Sequence, residues 1–170
     1  MDIFVEHLVT RKKNAKDFLI SAGIAVGAAV VVIATLNLLG GQFGLLVAAA
    51  EAYFAYQFMM SRNIEYEYSV TNGEVDIDKI IAQKKRKRVL NIDCKQFEIV
   101  ASVRDQEHQT EYQDPTISKT IETMSSYDAV NLYYAIFTHE GKKTRLIFEP
   151  TEKMLSVFKA YIPRKIFIQE

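Results

Sequence analysis

With 21 basic and 21 acidic side chains in 170 residues, the chain has zero formal net charge, which argues against a generally nucleic-acid-seeking surface, because phosphate binding leaves a domain clearly basic. Cys94 is the only cysteine, which excludes an intramolecular disulfide and any zinc site built on several thiolates. A content of 49% hydrophobic and 25% charged residues is ordinary for a soluble protein, but the average conceals two materials: Glu51 is the one ionised side chain between Phe18 and Met60, whereas the part after Met60 carries 17 basic and 17 acidic residues.

In chain order, Ile3, Phe4, Leu8 and Val9 recur at roughly helical spacing, so residues 1–17 are expected to form a short amphipathic helix at a membrane interface. Phe18 to Leu39 then runs without a charge, long enough at 1.5 Å rise per residue to cross the roughly 30 Å hydrocarbon core. Its valine run is a poor helix former in water, but in lipid the backbone must satisfy its own hydrogen bonds. Gly40 and Gly41 break this span. A second stretch, 43–60, is shorter and more polar, with Glu51 near its middle. A re-entrant or interfacial helix is the alternative there, since a charged side chain at the bilayer centre costs about 2.5 to 3.5 kcal/mol on insertion scales. The short glycine turn and the alanines at 48, 49, 50, 52 and 55 favour a second span packed on the first, and Gly23 and Gly27 offer a small-residue face on the first helix. Glu51, Gly23 and Gly27 are the expected helix-interface residues. Arg11, Lys12, Lys13 and Lys16 precede the pair, Arg62 follows it, and the connecting turn has no base, so both termini are expected in the cytoplasm of a two-span cell-membrane protein.

Residues 64–170 are expected to form the water-facing domain. Ile64, Tyr66, Tyr68 and Val70 alternate with Glu65, Glu67, Ser69 and Thr71, the pattern of a half-buried strand. Asn72-Gly73 predicts a type I′ turn, whose central residues both need positive φ, and Val75 and Ile77 resume the alternation. Further strands are expected at 85–93, 120–124, 131–138 and 143–148, with Ile99 and Val100 packing after the third and a long polar loop from Arg104 to Pro115. Pro150 is expected at the first position of a closing helix, whose apolar face is Met154, Leu155, Phe158, Tyr161 and Ile162, and Pro163 stops it.

A membrane hairpin leading into EYEYSVTNGEVDIDKI, then LNIDCKQFEIV, two strands and a helix opening FEPTEKM resembles the bacterial pleckstrin-homology-like (PH-like) two-span membrane proteins, or another two-span family of similar layout. The resemblance implies an α+β fold: a transmembrane hairpin, then a small bent antiparallel sheet capped by a C-terminal helix. It carries no catalytic motif. QKKRKR stands where that family has an Arg- and Gly-rich strand end, and the stretch around His108 resembles an insertion.

Lys84, Lys85, Arg86, Lys87 and Arg88 are the candidate contacts for anionic lipid headgroups or a partner, each cation near an anionic leaflet contributing on the order of 1 kcal/mol. In a strand only alternate side chains share a face, so at most three act together. A solvated hairpin tip, or an edge strand whose lysines discourage foreign pairing, is the plainer reading. His7, His108 and His139 lack metal-ligand spacing, Cys94 lacks a base partner, and no phosphate-loop, nucleophile-elbow or dinucleotide motif occurs. No cofactor or metal is expected. The expected function is a membrane-anchored, non-enzymatic interaction or scaffold module, with a protein partner or further copies of itself. The alternative is a subunit of a transport or channel assembly that uses the hairpin and Glu51.

Overall fold

The computed structural model describes residues 3–168, and these divide into two compact units. One is a helical hairpin, residues 12–64 together with the turn at 81–85; the other holds the sheets, residues 65–80 and 86–170 together with 1–11.

In the hairpin, α1 runs Ala15–Leu39 and α2 runs Gly41–Met60. The first helix starts three residues before the charge-free stretch because Asn14 caps it: its side chain accepts from the Asp17 backbone N–H while the Asp17 carboxylate receives the Asn14 N–H, a reciprocal capping box. The turn is tighter than the sequence suggests. Gly40 and Gly41 both sit at positive φ, 54° and 52°, a conformation open to glycine at little cost, so α2 begins immediately. Both helices are long and apolar enough to cross a membrane. Their contact runs along Ser21, Ile24, Ala28, Val32 and Thr35 on α1 and Gly44, Ala48, Glu51 and Ala55 on α2, the positions that are buried or half-buried. Spacing of three and four keeps each set on one face. Gly23 and Gly27 fall off this stripe, and a Cβ added at either would meet nothing within 4 Å. They therefore do not form the expected interface with α2: smallness is needed where the helices touch, and Gly44, Ala28 and Ala48 supply it.

The sheet unit corrects the reading of the N-terminus. Residues expected as an interfacial helix form a strand, β1 (Phe4–Thr10); residues 1 and 2 lie outside the described part. The separation of Phe4 and Leu8 by four places them on one face of a helix, but equally on one face of a strand. Pairing decides between the two: β1 runs antiparallel to β2 (Ile64–Thr71), with Val9 opposite Tyr66 and Thr10 opposite Glu65. The hairpin is thus inserted between two directly paired strands. Asn72 and Gly73, at φ 52° and 90°, make the expected turn into β3 (Glu74–Ile81), and β4 (Lys85–Asp93) completes a sheet of order β1-β2-β3-β4.

The expected α+β layout holds, with its strands arranged in two sheets. After a single 3-10 turn at Cys94–Gln96, β5 (Phe97–Ser102) is a strand in its own right. The expected polar loop contains a one-turn helix, α3 (Gln109–Tyr112). Then follow β6 (Lys119–Glu122), β7 (Tyr133–His139), β8 (Lys142–Phe148), α4 (Glu152–Tyr161) and a short β9 (Ile166–Phe167). The second sheet has the order β6-β8-β7-β5-β9. It is mixed, because β6 runs parallel to β8 and β9 parallel to β5. Thr151 caps α4 by accepting from the Met154 N–H, so Pro150 precedes the cap rather than opening the helix.

Phe97, Phe137, Phe148 and Phe158 cluster at centroid distances of 5.6 to 6.4 Å, bringing α4 onto the second sheet. Tyr68 of β2 joins the sheets. Only 1% exposed, its hydroxyl donates to the Thr123 carbonyl and accepts from the Glu149 N–H. Burial drives this phenol well above its ordinary range.

Candidate functional site

The basic run splits by strand alternation. Arg86 reaches Glu67 at 2.6 Å and Asp78 at 3.7 Å, and Arg88 reaches Asp78 at 2.5 Å as well as Asp76. The hydrogen bond that Arg88 donates to Asp78 raises the Arg88 pKa still further. Asn91 extends the network to Glu74 and Asp76. Asp76 and Asp78, which as sequence looked like ordinary surface acids, are counter-ions, and Asp78 is buried. Exposed pairs of this kind contribute little each, about 0 to 1 kcal/mol, but they fix both guanidinium groups over β2 and β3. Among the described residues, Lys84, Lys85 and Lys87 form no ion pair. The five cations are therefore two bound arginines and three available lysines.

Two polar contacts lie inside the hairpin. Arg62 meets Asp17 at 2.6 Å, with Asp17 only 3% exposed, closing the open end where α1 starts and α2 stops. Deeper, Thr35 donates to Glu51 Oε1 at 2.9 Å, while Oε2 is buried and has no hydrogen-bond partner among the described residues. Glu51 thus faces α1 through Thr35.

A third site has no precursor in the sequence reading. The 103–118 connection lies over the outer face of the second sheet, packing Val103, Tyr112 and Ile117 on Ile99, Ala101, Tyr134 and Ile136. Arg145 stacks on Tyr112 at 4.5 Å, and Tyr134 donates to the His108 carbonyl at 2.7 Å. The His108 ring lies 3.9 Å from the Phe167 ring, and its Nδ1 is 2.9 Å from Asp105 Oδ2. Beside this stack opens a pocket of about 280 Å³ whose wall includes Ile99, Ile136, Phe167, Glu111, Arg164 and Lys143. Lys143 binds Asp114 at 2.7 Å; its ammonium, with the Thr116 donors, holds the Asp114 carboxyl well below the usual range. Residues so far apart in the chain give no spacing signal, which is why the sequence did not disclose them.

The histidines do not converge. His7 lies near Tyr68, His139 near Phe137 and His108 against Phe167, and among the described residues no group of three His, Cys, Asp or Glu side chains is placed to hold a metal ion. Cys94 is fully buried, and burial, reinforced by Asp93, pushes its thiol up to about 11. That thiol is a packed side chain lying over the 72–73 turn, where a Cβ on Gly73 would stand 3.2 Å from Sγ.

A family model described as "Bacterial PH-like domain (DUF6106)" matches residues 1–168. The chain belongs to that family. The match begins ahead of the hairpin, in keeping with β1 being part of the domain. Neither the curated proteins nor the solved structures contain a match. Within this PH-like domain the two sheets and α4 carry the packed core, while the unpaired lysines and the His108 pocket are the places where side-chain function remains uncommitted to packing.

Proposed function

We propose that the chain is an integral-membrane interaction module: the hairpin crosses the bilayer twice and tethers the PH-like domain at the cytoplasmic face, where it binds a protein partner or a second copy of itself. One observation carries the reading. Thr10 pairs with Glu65, so the chain must enter and leave the hairpin on the same side, which a two-span path satisfies. Lys12, Lys13, Lys16 and Arg62 cluster at that end and the Gly40–Gly41–Gln42 turn has no charge, which supports the cytoplasmic side. Only residues 11–14 and 61–63 connect strands to helices. At a maximum of about 3.6 Å per residue, neither connection lets the domain search far from the membrane, so a partner is met at the membrane surface. The pocket at His108, Arg164 and Phe167 is the partner-binding surface in this reading. The transport alternative is weaker, because the Thr35 hydrogen bond gives Glu51 a role in helix contact and Glu51 is the only ionisable group in the middle of the pair.

Reporter cysteines test the topology in sealed, oriented vesicles. In a Cys94→Ala background, Lys153→Cys should be labelled only from the cytoplasmic side and Gln42→Cys only from the other. Labelling of both from one side would refute two spans. Photo-crosslinking from position 164 in native membranes tests the interaction: adducts heavier than the chain are expected, and their absence would refute the binding role.

A further inference from the structure

We propose that the groove between the C-terminal end of α2 and the β3–β4 turn holds the headgroup of one anionic phospholipid, an inference that rests on the membrane-anchored reading above. The turn at 81–85 belongs to the hairpin unit. Its Ala82 N–H donates to the Asn63 carbonyl at 2.8 Å, and Lys84 N–H closes the turn on Ile81 at 3.1 Å. Between turn and helix lies a groove of about 240 Å³, walled by Tyr56, Gln57 and Met60 on one side and Ala82, Gln83 and Lys84 on the other.

Position along the hairpin selects the ligand. The apolar interval of the two helices, in which Glu51 is the one charged side chain, ends at the Asp17–Arg62 pair, so the groove opens where hydrocarbon gives way to headgroups. Lys16, Arg62, Lys84 and Lys85 gather positive charge at this end of the unit, where a polybasic surface attracts anionic lipid. Lys84 is the available cation, since Glu67, Asp76 and Asp78 are taken by Arg86 and Arg88. The helix wall is aromatic and apolar at Tyr56 and Met60 and continuous with the exposed Tyr53 and Phe54 higher on α2. A free phosphate has no use for such a wall, whereas a lipid has: its phosphate meets Lys84 and its chains stay in the bilayer along α2. The groove is the size of a headgroup and does not need to hold the chains.

The turn itself is consistent with this assignment. Ala82 and Gln83 stand at φ 53° and 55°, a left-handed conformation that crowds the Cβ of a non-glycine residue. The corresponding turn at 72–73 eases this crowding with Asn-Gly. Side chains kept at such positions line the groove, and strain of this kind is retained at ligand clamps.

The test is native mass spectrometry of the full chain released from detergent after exposure to equal amounts of phosphatidylglycerol and phosphatidylcholine. The wild type should retain the anionic lipid by about fivefold over the zwitterionic one, the ratio one lysine contributes near an anionic surface. Lys84→Gln and Lys84→Glu should bring the ratio to parity. Lys87→Glu, which alters a neighbouring unpaired cation outside the groove, should leave it unchanged. Parity in the wild type, or an equal loss in Lys87→Glu and Lys84→Glu, overturns the groove. Displacement of the lipid by inorganic phosphate also overturns it, in favour of a free-phosphate site. Extraction of the chain from membranes by alkaline carbonate would instead sink the anchoring reading; a chain that resists extraction yet shows no preference sinks only the lipid site.

Discussion

Replacing Glu51 and Thr35 separately and together distinguishes an anchor from a transport element. Among the described residues Glu51 makes one interhelical hydrogen bond, from Thr35 at 2.9 Å, and buries its second oxygen without a partner. A charged side chain at the bilayer centre opposes insertion by about 2.5 to 3.5 kcal/mol, while an interhelical hydrogen bond in a membrane returns about 0.6 to 2 kcal/mol. Glu51→Ala should therefore improve insertion of α2 by about 0.5 to 3 kcal/mol. Thr35→Val removes the donor and leaves the acid in place, so it should weaken the hairpin by about 1 kcal/mol. In the Glu51→Ala background the same Thr35 change should be neutral within about 0.5 kcal/mol, because the coupling between the two residues is gone. An insertion assay that scores the fraction of chains returning to the starting side after α2 measures all four variants. Glu51→Ala that inserts normally but abolishes the cellular phenotype would refute the anchor reasoning and restore the transport alternative.

The domain yields four further expectations. Gly73→Ala places a Cβ at φ 90°, 3.2 Å from Cys94 Sγ and 3.3 Å from the Tyr161 ring, and should cost about 1 to 3 kcal/mol in thermal melts of the full chain in detergent; no loss would mean the turn is not built as described. Cys94, its thiol pushed up to about 11 by burial, should resist maleimide at neutral pH from either side of a membrane and react only after denaturation, so rapid native labelling would contradict the buried packing. Asp114, held below its ordinary range by Lys143, stabilises the fold above the unfolded carboxylate range near pH 4, and this contribution fades as pH falls toward the depressed native value; melts of wild type and Asp114→Asn should differ at pH 6, with the gap narrowing below pH 4, and a pH-independent gap would place the effect elsewhere. A fragment starting at residue 64 lacks β1 and exposes the edge of β2 to foreign strands, so it should aggregate on size-exclusion chromatography, whereas residues 1–11 joined by a short turn to 64–170 should remain monomeric; the reverse order would refute the β1–β2 pairing.

The parts of this fold that were legible are those whose signal is local. Asn72-Gly73 between two alternating runs specifies a hairpin because each side chain's face follows from its parity, and the charge-free stretch at 18–39 specifies a long apolar helix by its length. Parallel pairs are different: nothing in Lys119–Glu122 or Ile166–Phe167 indicates pairing with β8 or β5. The basic run was half legible. Alternation limits how many cations share a face, but which acids lie opposite depends on register, and that decides that the arginines are bound and the lysines are not. Gly23 and Gly27 failed for a similar reason. Their spacing matches a helix contact, yet Ser21, Ile24, Ala28, Val32 and Thr35 carry the same period on another face, and only the partner helix selects between them.

The N-terminus shows most clearly how a non-local contact changes the functional argument. Read locally, residues 1–17 and 64–170 are separate pieces with an anchor between them, and the domain would hang from one end of a hairpin. Pairing Thr10 with Glu65 makes the anchor a long connection inside a β-hairpin. Two short covalent links replace one, and the domain cannot complete its first sheet until both helices have been made and brought back to the side they left. In the proposed two-span arrangement, misinsertion of α2, the shorter and more polar helix, would carry β2 away from β1 and leave Val9, Tyr66 and Tyr68 without their pairing. On that proposal correct membrane topology is a condition for folding of the PH-like domain, and the price of Glu51 in α2 falls on the domain as well as on the hairpin.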